Sequence, residues 1–560
     1  MKLTRLILSL VLLVIALSLS PTTYAFTPPL APPEQQPQGS IVASTATMGA
    51  PTMVHVQMTN TVPELTDQQK ALLEARSGRG PLPAASPLPV GTTAVQRADS
   101  APNPRQASDP PARSANASPT APGTFTMFRN TTFGATIKAN TSGLTGEPTI
   151  SNLGPLSFAT GNWWGAVSQD GGQTFQYVNP YTQFPASYGG FCCDQWTVYD
   201  PSRDIFIWYL QYISSNPGGG GRNIFRLAVG RPTDVINGTW WFYDFTSDVG
   251  TEWDYPDMWL GNDNLYITTN RGPYAAGYVD TSFVFRIPLD PISTGAGFGY
   301  GVVDFAANGF GNLSWKGARA NRDTMYMAAH NTTSQIRIMR WAENSGSLFW
   351  DDVNLSATWP NATHVCPTPD GRDWCGFDDG RIKAGWMGRG LLGWQWNTSA
   401  GGGFTYSHID AVQVRESDRV YVDRPYIFGA SGAHQYSAAA PNMRGDVGMV
   451  GHYSSSSFAP YLYVAINDDY TRDAGNTWDV NWIRISTQGP NGNRWGDYFS
   501  VNAYNPNGLA WLASGTTMQG CGAAGCKETQ FMVYGRERDT RGVNKFLNMN
   551  ICDFLPLIRR

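Results

Sequence analysis

An eight-residue pattern occurs twice in this chain, once as Ser168-Gln169-Asp170-Gly171-Gly172-Gln173-Thr174-Phe175 and again, far downstream, as Thr471-Arg472-Asp473-Ala474-Gly475-Asn476-Thr477-Trp478. Both copies read [Ser/Thr]-x-Asp-x-Gly-x-Thr-aromatic. Such a segment makes a self-contained β-hairpin turn. The hydroxyl and carboxylate bond nearby backbone groups, the glycine takes a positive φ, and the ring covers the turn from the strand side. One Asp-x-Gly turn is commonplace, but two long copies set among aromatic and β-branched runs predict a repeated all-β architecture. The key positions, Ser168, Asp170, Gly172 and Phe175, then Thr471, Asp473, Gly475 and Trp478, secure turns and say little about chemistry.

Composition divides the chain near residue 122. Residues 26–122 contain seventeen prolines and no tryptophan, too little apolar surface to offset the entropy of ordering, and are expected to be disordered. Within them Thr66 and Gln69 form a capping box ahead of a short amphipathic helix over 66–76. From residue 123 to 560 the chain holds all 20 tryptophans and closely spaced strand and turn signals. Seven units, each a polar residue leading an apolar strand, begin near Glu147, Asp194, Asp257, Lys316, Arg381, Arg444 and Asp497. The expected fold is a single β-propeller of seven blades, with six left open by soft boundaries at the fourth and fifth units. Pairing of Thr124–Arg129 with Gln530–Tyr534 would close the ring.

Residues 1–25 read as a cleaved signal peptide: Lys2 and Arg5, the apolar run Leu6–Leu17, then Thr23-Tyr24-Ala25. A secreted protein with no membrane span follows. A net charge of −4 with 15% charged residues supplies no basic footprint for nucleic acid. In an exported chain cysteines are read first as disulfides. Cys366 with Cys375 and Cys521 with Cys526 bracket short loops, Cys192 and Cys193 are adjacent, and Cys552 is left over.

The repeated turn resembles the Asp box of bacterial neuraminidases and other propellers. Asn162-Trp163-Trp164-Gly165-Ala166-Val167, Cys192-Cys193-Asp194-Gln195, Asp254-Tyr255-Pro256-Asp257 and Arg494-Trp495-Gly496-Asp497-Tyr498 look like the blade openings of exported sialidase-like propellers, a resemblance that spans residues 124–540. It implies the propeller fold and a glycan-related role. The family's catalytic residues do not carry over, because Phe128-Arg129-Asn130-Thr131 lacks the Ile-Pro of the arginine motif and no glutamate is identifiable as partner of a nucleophilic tyrosine. The signatures of serine hydrolases, phosphate-binding loops, haem attachment and zinc peptidases are absent.

Propeller inner strands start at one face of the channel, so the residues opening the units should converge there. Glu147, Asp194, Asp257, Asp497 and Tyr498 are the catalytic candidates. Arg319, Arg381, Arg444 and Arg494 are candidates for gripping substrate, joined by Trp196 and Trp259 for stacking. Lys316, Lys383 and Asp446 complete the charged set. Carboxylates facing a cationic arc suit either a Ca²⁺ ion or an acidic sugar; the plainer reading is a set of mutually paired channel charges. The expected function is recognition of an extracellular glycan or polymer, with sialidase-like glycoside hydrolysis as one form of it and a non-catalytic binding or cell-surface scaffold as the rival.

Overall fold

The computed structural model describes residues 37–69, 71, 122–133 and, apart from breaks at 215–220, 274–280, 312–313, 377, 473–476, 491–494 and 521–525, residues 146–558. Its strands form seven antiparallel sheets. The innermost strands are Thr149–Leu153, Phe191–Asp200, Thr251–Leu260, Lys316–Gly317, Ile382–Gly388, Gly432–Pro441 and Ser500–Ala503. Each touches the next, and the seventh returns to the first. The protein is a seven-bladed β-propeller, and the blades are numbered here in that order.

The ring closes as the hydrogen-bonding needs of an open array require. Phe125–Thr132 pairs antiparallel with Cys526–Arg536 as the outer strand of blade 7, so the two ends of the ring share a sheet. Buried aromatic and aliphatic side chains fill the space between blades, with Trp208, Trp240, Trp341, Trp386 and Trp394 among the largest.

The segment expected to be disordered forms strands between Gly39 and His55. Gly39–Val42, Ser44–Met48 and Thr52–His55 each add a fifth, outermost strand, to blades 4, 3 and 2 in turn, and Thr59 then bridges Tyr177 of blade 1. The chain thus laces backwards across four blades. Ile41 and Val56 are buried by it. The physical reason is local: Ser-Ile-Val-Ala-Ser-Thr-Ala-Thr-Met and Thr-Met-Val-His-Val are β-prone stretches inside a proline-rich average, and exposed blade edges offer them a ladder. The capping box forms as expected, Thr66 and Gln69 exchanging bonds of 2.9 and 3.2 Å. The rest of the expected helix runs beyond the described residues.

The first copy of the repeated turn joins the last two strands of blade 1. Ser168 Oγ donates to Asp170 Oδ1 (2.9 Å) and accepts from the Gly172 amide (2.8 Å). Asp170 also receives the Gln173 and Thr174 amides, both at 2.9 Å, and the Thr174 hydroxyl at 2.6 Å. Partial burial opposes the Asp170 charge, but the bonds from Thr174, Ser168 and Gln173 outweigh it and hold the carboxyl below its usual range. Gly171 has φ 71°, and a Cβ there would lie 1.9 Å from the Leu547 carbonyl of the C-terminal helix Thr540–Leu547. Phe175 stacks on Phe133 with centroids 4.3 Å apart. In the second copy, in blade 6, the Thr477 amide donates to the Thr471 carbonyl (3.1 Å) and Trp478 Nε1 to the Pro425 carbonyl (3.3 Å); Asp473 and Gly475 lie outside the described residues.

Candidate functional site

Three inner strands bend where they open. Cys193 (φ 86°), Tyr255 (φ 55°) and Tyr436 (φ 54°) adopt left-handed backbone, and the pairing of each strand with its neighbour slips at that point. Bulges of this kind re-aim side chains, and left-handed non-glycine backbone persists only where its surroundings enforce it. At Cys193 the enforcing element is a disulfide to Cys192, Cα atoms 3.6 Å apart, immediately ahead of Asp194. Cys366 and Cys375 are also joined, Cys552 is an exposed free thiol, and Cys521 lies outside the described residues.

Behind this entrance the channel is crossed by side chains from blades that are not neighbours in the ring. Tyr498 of blade 7 lays its ring 4.9 Å from that of Trp196 in blade 2, and its hydroxyl accepts from the Gln195 amide at 3.2 Å and donates to the Gln195 carbonyl at 3.3 Å. Lys316 of blade 4 sits 5.3 Å from the centroids of both Trp196 and Tyr255 and 3.6 Å from Asp257. Arg319 binds Asp257 at 3.1 Å and the Met258 carbonyl at 2.9 Å, and lies 5.2 Å over Trp196. From blade 5, Arg381 packs 5.1 Å from the Tyr255 ring and binds Asp379 at 2.6 Å. Lys383 binds Asp378 at 2.8 Å and the Asp497 carbonyl at 3.4 Å. Glu147 accepts from the Asp497 amide at 2.9 Å and from Asn162 at 2.6 Å, tying blade 7 to blade 1.

Burial and neighbouring charge set the protonation of this cluster. Burial lifts the Tyr498 phenol far above its usual value, helped by Asp194, Glu147 and Asp497. Tyr255 is pushed up to about 12 by burial, partly offset by Lys383 and Arg381. Burial lowers Lys316 to about 8 despite Asp257, with Arg319 and Lys383 adding to the fall. Lys383 resists the same penalty: Asp378, Tyr255 and Asp379 raise it above its usual value. Asp378, whose burial favours the neutral acid, is nonetheless held below the usual carboxylate range by Lys383 and His364.

The structure therefore gathers Glu147, Asp194, Trp196, Asp257, Lys316, Arg319, Arg381, Lys383, Asp497 and Tyr498 around one channel. Arg444 is not among them. It binds Asp539 at 3.1 Å in the hairpin after the inner strand of blade 6, and Asp446 beside it pairs with Arg472 at 2.7 Å. The sixth unit was placed one strand too late, because the true inner strand opens on Gly432-Ala433-His434-Gln435 without an acid or base to announce it. Arg494 lies outside the described residues. Trp259 is buried at the other end of its strand, against Gly317. Five histidines, His330, His364, His408, His434 and His452, are buried, and burial pushes His330 and His434 down to about 3. Asp378 and Asp379 go unmarked by the sequence reading, although the Asp-Asp doublet stands just ahead of Arg381, and Tyr255 enters it only as part of a blade-opening motif.

A Ca²⁺ ion needs carboxylates free to converge on it. Here Asp257, Asp378 and Asp379 are held by lysine and arginine. Among the described residues the close-set group of metal-ligand types is Cys366, Asp373 and Cys375, and its sulfurs are already bonded to each other.

No family model matches the chain, and no curated protein matches it. Solved structures similar to it include an α-L-arabinanase from Penicillium chrysogenum complexed with arabinobiose (11% identity, 73% of this chain and 98% of that one, TM-score 0.34). An α-L-arabinofuranosidase from Fusarium graminearum shares 9% identity over 74% of this chain and 99% of its own, TM-score 0.36. A variant of the NanB sialidase from Streptococcus pneumoniae shares 12% over 68% and 67%, TM-score 0.32. At these values none of them assigns a role to a residue of this chain, whose site rests on its own contacts.

Proposed function

We propose that this is an exported propeller that binds the acidic end of an extracellular glycan at the entrance of its channel, in a recognition rather than a hydrolytic role. One observation carries this. Arg381 Nη1 and the Tyr255 hydroxyl are both buried and both without a hydrogen-bond partner, and their side chains pack together with Lys383 nearby. Two unused donors, one of them on a guanidinium, ask for an acceptor, and although Asp379 and Asp378 already pair with Arg381 and Lys383, a carboxylate makes the strongest bond to such donors. The N-terminal signal sequence and the two disulfides fit an oxidising compartment outside the cytoplasm, and no helix among the described residues is long and apolar enough to cross a membrane.

Hydrolysis of a glycosidic bond needs two carboxyl groups about 5 to 10 Å apart across a cleft, or a tyrosine and a carboxylate. The entrance acids are instead engaged with one another's backbones, with lysine or with arginine, and Asp194 and Asp497 also have partners. Burial keeps the Tyr498 phenol protonated. An array of acidic and neutral glycans, with a panel of fluorogenic glycosides, tests the proposal. Acidic glycans should be retained, Arg381→Ala should weaken them about tenfold, the weight of one charge-assisted bond, and Tyr255→Phe should weaken them less. Retention of acidic glycans by both variants at the wild-type level would overturn it, and turnover of a glycoside abolished by Asp194→Asn would make the site an active site.

A further inference from the structure

The far mouth of the channel holds a cavity of about 280 Å³, into which six blades send the closing ends of their inner strands or the turns after them. Asn152, Asp200, Asn321 and Asn502 supply its polar lining, and Val198, Leu260, Ala440 and Pro441 its apolar wall. Arg319 lines it too and lies over Trp196, part of the side-chain plug described above. Arg319 therefore stands between this cup and the plug.

The chemistry of the lining selects its occupant. Asn321 donates to the Ala318 carbonyl at 2.5 Å and accepts from the Tyr326 amide at 3.1 Å, and Asn502 donates to the Ile150 carbonyl at 2.6 Å. These bonds fix the amide planes and still leave each carboxamide one N–H and at least one carbonyl lone pair. A fixed amide with both a donor and an acceptor in hand matches a hydroxyl, which is also both. The charges at the cup are already neutralised within the protein, Arg319 by Asp257 at 3.1 Å and Asp200 by Arg203 at 3.3 Å, so no ligand charge is called for. The apolar wall fits the C–H face of a sugar ring. The volume is at the small end of ligand pockets, which start near roughly 300 Å³, and so suits one ring rather than a chain. We propose that the far mouth is a binding cup for the terminal unit of a neutral saccharide, separate from the entrance site.

Saturation-transfer NMR on the full chain with the methyl glycosides of glucose, galactose, mannose, xylose and arabinose at millimolar concentration tests this. Asn262→Trp and Ser202→Trp place a bulky ring at exposed positions on the cup's rim, so at least one remains folded for the comparison. At least one glycoside should show transfer, reduced tenfold or more in whichever rim variant keeps the native circular dichroism and unchanged in Arg381→Ala. Transfer that survives in a folded rim variant, that is lost in Arg381→Ala, or that is absent for every glycoside in the wild-type chain overturns the cup. The outcome for acidic glycans at the entrance is read separately on the array.

Discussion

Blades 2, 3 and 4 end in a fifth strand contributed by the N-terminal lace, whereas blades 5 and 6 end in their own fourth strands, Tyr421–Asp423 and Asp479–Ile485. Both halves face the same hazard, a row of unpaired backbone groups at a sheet edge. The laced half meets it by moving the edge onto strands only four or five residues long. The bare half meets it by being unattractive: its blade 5 edge is three residues long, and its blade 6 edge carries Asp479, tied to Arg536, and Arg484, tied to Glu528. Edge protection by pairing and by charge thus coexist in one ring. Only pairing makes distant parts of the sequence depend on each other.

The largest test of that contrast is removal of residues 37–60. Burial of Ile41 and Val56 alone is worth about 2 kcal/mol each, so the loss should reach on the order of 5 kcal/mol once the ladder bonds are counted. Amide exchange should accelerate in Thr239–Thr246, Phe298–Asp304 and Ser347–Asn354 and stay unchanged in Tyr421–Asp423 and Asp479–Ile485. Equal acceleration in both halves would break the distinction. A smaller probe is Ile41→Asp, which buries an unpaired charge in the laced half and should cost about 3 to 4 kcal/mol by chemical denaturation. Val422→Asp, at an exposed position of the bare edge, should stay within about 0.5 kcal/mol of wild type.

The smallest test compares the two copies of the repeated turn, one in laced blade 1 and one in bare blade 6. Asp170→Ala and Asp473→Ala should each cost about 1 to 2 kcal/mol without touching glycan binding. Because the Asp170 carboxyl is held below its ordinary value of 3.8, its contribution is full above that pH and fades as pH falls through the lower, folded value. The gap between wild type and Asp170→Ala should therefore close in denaturant titrations carried from pH 7 toward pH 2. A gap that persisted in acid would mean the turn is held by something other than the ionised carboxylate.

The ring and six of its seven inner strands were legible because a propeller inner strand is short, apolar and announced by a charged residue. Blade 6 broke that rule, and the Arg-Gly-Asp-Val run of its next strand imitated it. The lace was illegible by composition, since averaging over residues 26–122 drowned two β-prone stretches in proline, and because their partners lie in other blades no local pattern could signal the pairing. In the channel the charged residues could be found, but not their mutual neutralisation: that Lys383 would reach across to the Asp497 carbonyl, or Tyr498 to Gln195, depends on which blades face one another. The far cup was invisible for the same reason. Its asparagines sit on the strands and turns of separate blades and meet only when the ring brings six strand ends together.

The lace runs against the order of the blades, meeting blade 4 first and blade 1 last. A chain made from its N-terminus presents these strands before any sheet exists to receive them, and Gly39 must wait for Trp350. Contacts so remote in sequence form slowly, so these strands stay unpaired until the blades that receive them have formed. The same residues, on the outside of the finished ring, are the natural place for its unravelling to begin.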